Sequence, residues 1–71
     1  MKVTAEHDES GQVRPLLLTW TDGRQYVIDR VTDVRQAPSL RGDGLGMRYT
    51  VWVRGKEAYL FEDEGRWFVE E

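Results

Sequence analysis

The chain predicts an all-β domain, a small antiparallel meander of five to six strands. Three observations lead there. Val, Ile, Thr, Tyr, Trp and Phe cluster in short runs, and Gly-bearing turns cut those runs. No window of eleven residues combines a 3.6-residue apolar period with a helix cap.

Residues 2–8 alternate, with Val3, Ala5 and His7 on one side and Lys2, Thr4, Glu6 and Asp8 on the other, the period-two pattern of a first strand. Residues 9–12 (Glu-Ser-Gly-Gln) form a turn. Residues 13–21 make the second strand, with Pro15 near its start, where a missing N–H is tolerated at an edge. Asp22-Gly23 is the strongest hairpin signal, since a type I′ turn needs positive φ at both central positions. Residues 25–36 are the third strand, and the slip in their pattern between Tyr26/Ile28 and Val31/Asp33 predicts a bulge or bend. A Gly-rich loop covers 37–46, and residues 47–53, 57–63 and 66–70 are strands four to six. Asp22-Gly23-Arg24 and Glu64-Gly65-Arg66 share a turn grammar, with Arg54-Gly55-Lys56 as a cousin.

Charge sets the register expected for the last three strands. A Gly55-Lys56 loop places Arg54 opposite Glu57, Trp52 opposite Tyr59 and Arg48 opposite Asp63, so opposite charges meet. A Glu64-Gly65 loop places Asp63 by Arg66, Phe61 by Phe68 and Leu60 by Val69. One face then carries Val51, Val53, Ala58, Leu60, Trp67 and Val69; the other carries Trp52, Tyr59, Phe61 and Phe68. A sheet wet on one side alternates apolar with polar. Two apolar faces in so short a chain predict a sheet curled on itself, an SH3-like, partly open barrel. Leu17, Leu18, Tyr26, Ile28, Val51, Val53, Leu60 and Val69 are the expected core.

Residues 1–71 are expected to form one β-barrel domain, with 37–46 as a flexible Gly-rich loop. At 8.3 kDa it buries only about 60% of its unfolded surface, which leaves room for one core and no deep enclosed cavity. Charged residues at 32% and hydrophobic residues at 39% mark a globular chain. No apolar run reaches the length of a membrane span, and Met1-Lys2 opens no apolar leader, so the expected address is the cytoplasm, with no membrane partner. With Cys at 0, disulfides, thiolate nucleophiles and thiolate metal sites are excluded.

The chain resembles a family of short, uncharacterised bacterial proteins with an all-β domain of unknown function. The residues that carry the resemblance are Arg14-Pro15, then Trp20, Gly23-Arg24, Tyr26, Ile28 and Val31. Arg48-Tyr49, Val51, Tyr59-Leu60-Phe61 and Gly65-Arg66-Trp67-Phe68-Val69 complete it. The resemblance implies the small barrel and carries no activity with it.

Chemistry is sparse. Ser10 and Ser39 fall in predicted loops, and His7 is the sole imidazole, so no nucleophilic relay assembles and no enzyme is expected. His7 beside Asp8 and Glu9 reads as an exposed edge residue rather than a metal ligand. Glu62-Asp63-Glu64 reads as a solvated hairpin tip, and no cofactor is expected. The 37–46 loop carries Gly42, Gly44 and Gly46 between Arg35, Arg41 and Arg48, without the spacing or following helix of a phosphate loop.

The aromatic residues are the best surface. Trp20 is expected opposite Gln25, away from the Thr19/Tyr26 face, and beside Arg24, Arg54 and Lys56. Trp20, Arg24, Arg41, Trp52, Arg54 and Tyr59 are therefore the candidate binding residues. The expected function is a non-catalytic protein-interaction module for a protein or peptide partner, with a homodimer through the Trp52 face. The alternative is an accessory nucleic-acid binder. Residues 24–56 carry a net +4 inside a chain of net charge -3, and Arg stacks and pairs with phosphate.

Overall fold

A computed structural model describes residues 1–38 and 45–70. These residues hold seven strands: β1 (Lys2–His7), β2 (Val13–Thr19), β3 (Gln25–Val27), β4 (Arg30–Pro38), β5 (Leu45–Val53), β6 (Lys56–Asp63) and β7 (Arg66–Glu70). Every pairing is antiparallel between chain neighbours. They divide into a three-stranded sheet, β1-β2-β3, and a four-stranded sheet, β4-β5-β6-β7.

The all-β expectation holds, but the strand count rises to seven, because the expected third strand is two strands in different sheets. The Ile28 N–H donates to the Leu16 carbonyl at 3.0 Å, and the next N–H, of Asp29, donates to the Trp52 carbonyl at 2.8 Å. One dipeptide thus serves both sheets, and the slip seen in the apolar pattern is this crossing. A second irregularity, between Val31 and Asp33, bulges β4 against β5. Strand structure also enters the expected 37–46 loop from both ends, reaching Pro38 and resuming at Leu45. Arg41, Gly42 and Gly44 lie outside the described residues.

Two hairpins close by the same three-residue turn. Asp8 donates its N–H to the Gln12 carbonyl at 3.0 Å, and Gly11 donates to Asp8 at 3.1 Å; Trp20, Arg24 and Gly23 repeat this at 2.8 and 3.0 Å. Only the glycine of each turn has positive φ, 85° at Gly11 and 89° at Gly23. Asp22-Gly23 is therefore not a type I′ turn. Asp22 keeps negative φ, and its carboxylate accepts the Arg24 N–H at 2.9 Å, the local bond that favours a three-residue turn here. The extra loop residue moves the register by one, so Leu18 faces Tyr26 and Thr19 faces Gln25. A one-residue shift exchanges the faces of the strand. Trp20 accordingly shares its side with Leu18 and Tyr26, not the side opposite Tyr26.

The β5–β6 turn also differs from expectation. Its central pair is Arg54-Gly55, with φ of 54° and 76°, and Val53 faces Lys56. Arg54 is consequently in the turn rather than opposite Glu57. Glu57 faces Trp52, Tyr59 faces Thr50, and Arg48 faces Phe61 rather than Asp63. This slip is two residues, which leaves every side chain on its expected face. The β6–β7 register is as expected, with Asp63↔Arg66, Phe61↔Phe68 and Leu60↔Val69 about Glu64-Gly65.

The core lies between the sheets. Leu18, Ile28, Tyr49, Val51 and Leu60 are buried, and Val3, Tyr26, Val31, Val53, Trp67 and Val69 pack against them. Leu17, Tyr26, Val53 and Val69 are only half-buried. Leu17 and Leu18 cannot both point inward on one strand. Tyr49, at 4% exposure, joins the core although the alternation pattern does not single it out; its ring meets Trp67 at 5.4 Å between centroids. Pro15 is fully buried in β2, the central strand of its sheet rather than an edge. It is accommodated because the β1–β2 register shifts between Thr4 and Ala5, and a bulge spares the ladder bond that Pro cannot make.

Candidate functional site

The six candidate residues separate into different places. Trp20 and Arg54 meet at a groove of about 600 Å³ where the end of β2 and β3 stand over the β5–β6 turn. Leu18, Trp20 and Tyr26 come from the first sheet; Val53, Ala58 and Val69 form apolar ground in the second; Arg54, Lys56 and Glu57 flank it. Trp20 remains 40% exposed. The left-handed conformation of Arg54 carries its guanidinium to 5.9 Å from the Tyr26 ring centroid, within reach of a cation–π contact. The groove is thus an aromatic wall, an aliphatic floor and a mixed but net cationic rim. Tyr26 and Val69 belong to the core expected from sequence; their place beside Trp20 depends on the one-residue shift in the β2–β3 hairpin.

Trp52 and Tyr59 lie elsewhere, on the outward face of the four-stranded sheet. Each ring is covered by a guanidinium of its own chain: Arg30 stands 5.1 Å from the Trp52 centroid and Arg48 5.2 Å from that of Tyr59. Register explains both. Arg30 is opposite Trp52 on β4, and Arg48 lies on β5 one strand from Tyr59. Arg35 is opposite Arg48, a like-charge pair that is relieved because Asp33 binds the Arg35 guanidinium at 2.6 Å. Tyr59 donates its hydroxyl to Glu57 at 3.2 Å. Beneath these side chains Thr50 is only 8% exposed, and its carbonyl accepts the Thr32 hydroxyl at 3.4 Å. Sequence reasoning missed Arg30 and Arg48 as ring covers, since nothing local links Arg30 to Trp52 before the β4–β5 register exists.

Arg24 joins neither place. Its guanidinium is exposed at the hairpin tip, 3.4 Å from the Asp22 carboxylate. Arg41 lies outside the described residues.

The remaining polar groups serve turns. The Asp8 carboxylate accepts the Ser10 hydroxyl at 2.7 Å and the N–H groups of Ser10 and Gln12 at 2.9 Å each. These bonds, the Ser10 hydroxyl foremost, hold its pKa below the ordinary 3.8. Glu62 accepts the Gly65 N–H at 3.0 Å and so closes the last hairpin. Burial, and then the charge of Glu62, push the Tyr49 hydroxyl above its ordinary 10.0. A second hollow of about 490 Å³ lies between the β1–β2 hairpin and β4, lined by Glu6, Asp8, Arg14, Arg30, Val31 and Val34 among others. Its charges are mixed and Asp8 is committed to its own turn. Among the described residues no three His, Asp or Glu side chains group as metal ligands, and no helix is long and apolar enough to cross a membrane.

Compared with known proteins, the chain matches no family model, no curated protein and no solved structure.

Proposed function

We propose that the chain is a non-catalytic, cytoplasmic protein-interaction module, an SH3-like open barrel that receives an extended, proline-rich peptide in the Trp20–Tyr26–Arg54 groove. The observation that carries this is the convergence of two aromatic rings from one sheet and a cationic turn from the other on a groove of about 600 Å³. That volume lies within the range of roughly 300 to 1,000 Å³ typical of ligand sites. Proline-rich segments suit such a groove because their backbone is already extended and loses little entropy on docking between aromatic rings.

The nucleic-acid alternative draws on the basic middle segment. It is the weaker of the two because Arg24 and Arg35 are paired with Asp22 and Asp33, while Arg30 and Arg48 lie over rings of their own chain. Fluorescence anisotropy with a labelled proline-rich decapeptide and a labelled single-stranded oligonucleotide, each at low and high salt, separates them. Peptide binding is expected to change less than about threefold with salt, to weaken about tenfold in Trp20→Ala, and to survive Trp52→Ala. Oligonucleotide binding that falls steeply with salt, without peptide binding, would overturn the proposal in favour of phosphate recognition.

A further inference from the structure

The edge strands of the two sheets are unequally protected. β1 carries Lys2 and Glu6 and a register shift, β3 is only three residues long, and β4 carries a bulge, Asp33, Arg35 and Pro38. Charged side chains, bulges, shortness and proline are the means by which edges resist pairing. β7, Arg-Trp-Phe-Val-Glu, has no bulge and no proline, and between its terminal Arg66 and Glu70 it is wholly apolar.

The phase of its backbone follows from the turn before it. Glu64 and Gly65, with φ of 51° and 82°, form a two-residue turn, so Asp63 and Arg66 are the first hydrogen-bonded pair of the hairpin. Alternation then directs the N–H and C=O of Arg66, Phe68 and Glu70 toward β6. Those of Trp67 and Val69 point away from the sheet. β7 ends the strand order, and among the described residues no strand pairs with its outer side.

We propose that β7 pairs antiparallel with β7 of a second copy of this chain, about a two-fold axis at Phe68. In that register Trp67 lies opposite Val69 of the second copy, and the two exchange the main-chain bonds that each sheet leaves open. Arg66 lies opposite Glu70 of the second copy at both ends of the ladder, and such opposite-charge pairs stabilise a ladder. A slip of two residues either way keeps the hydrogen-bond phase but parts Arg66 from Glu70 at both ends. A slip of one residue puts the open backbone groups out of phase. Charge and phase therefore select one register. The contact is isologous, using β7 once in each copy, so it closes as a dimer rather than propagating. It also joins the outward faces: Phe68 is opposite Phe61 within the chain, so the two copies set Phe61, Phe68 and their equivalents in one row.

This inference uses the sheet edge and stands apart from the peptide groove. Sedimentation equilibrium of the full chain, from micromolar to millimolar concentration, is expected to reach twice the 8.3 kDa chain mass. Glu70→Arg, at an exposed strand end, brings like charges together at both ends and is expected to weaken the dimer about tenfold. Adding Arg66→Glu to it restores opposite charges and should bring affinity back to within about threefold of the starting chain. Circular dichroism of both variants checks that the strands are intact. A chain that stays monomeric throughout, or a dimer indifferent to Glu70→Arg, overturns the inference. A dimer lost in Trp52→Ser but untouched by Glu70→Arg places the contact on the outward sheet face instead.

Discussion

The Asp29 N–H donates to the Trp52 carbonyl at 2.8 Å, tying the chain to the second sheet one residue after Ile28 has bonded to the first. The bond continues the β4–β5 ladder one residue past its Arg30↔Trp52 pair. It also delivers Arg30, the next residue, onto the Trp52 ring at 5.1 Å. Sheet crossing and ring cover are thus one local event, and the backbone beneath the outward aromatic face is held from both sides.

Leu60 and Trp52 sit on opposite faces of this sheet and should fail differently. Leu60 is 0% exposed, so Leu60→Ala opens a cavity expected to cost about 2–5 kcal/mol, enough to unfold a domain of this size. Trp52→Ser removes a half-buried ring and a cation–π contact of about 0.5–1 kcal/mol, and the strand signal in circular dichroism should persist. Urea unfolding of both variants decides. Equal losses would make Trp52 part of the core.

Gly46 is required for a reason that no turn rule supplies. A Cβ there would stand 2.5 Å from the Glu62 carbonyl oxygen, backbone that cannot swing aside. Gly46→Ala should therefore push β5 from β6 and cost about 1–3 kcal/mol in thermal or urea unfolding. Gly55, at φ 76° with open space around it, makes the control. Asn tolerates the left-handed region, so Gly55→Asn should change stability by only a few tenths of a kcal/mol. A neutral Gly46→Ala would mean that the strands do not approach this closely.

Asp8 gives the β1–β2 turn an acid dependence. Its folded pKa lies below the ordinary 3.8, so its contribution is fully present above that value and fades as pH falls through the lower folded one. Carbon-detected NMR titration should place the Asp8 carboxyl midpoint below that of an unstructured aspartate. Ser10→Ala removes the strongest of the bonds responsible. Its Asp8 should titrate closer to 3.8 and its stability should vary less across the acid range.

Tyr49 sets the opposite limit. Its folded pKa is raised, so its contribution is full below the ordinary 10.0 and is lost as pH rises through the higher folded value. Ultraviolet titration of the chain and of Tyr49→Phe, compared as a difference, should show the Tyr49 hydroxyl ionising above the ordinary 10.0. Glu62→Gln should bring it earlier by removing the like charge, while burial keeps it above 10.0.

The all-β class, the β6–β7 register and the two faces of β5, β6 and β7 follow from residues close together in the chain. A Glu-Gly pair sets a two-residue turn, and period two assigns each side chain to a side. That assignment survived even the misplaced Arg54-Gly55 turn, because a two-residue slip preserves parity. The Asp22-Gly23 hairpin shows where such reasoning stops. One carboxylate bond to the Arg24 N–H accompanies a three-residue turn, which reversed parity and set Trp20 beside Tyr26. Packing decided the rest. Only the meeting of two sheets could split residues 25–36 at Ile28-Asp29, bury Tyr49 and Pro15, and part Trp20 from Trp52. Turns and alternation are short-range consequences of backbone geometry, whereas burial and the sharing of a groove depend on which surfaces meet across the core.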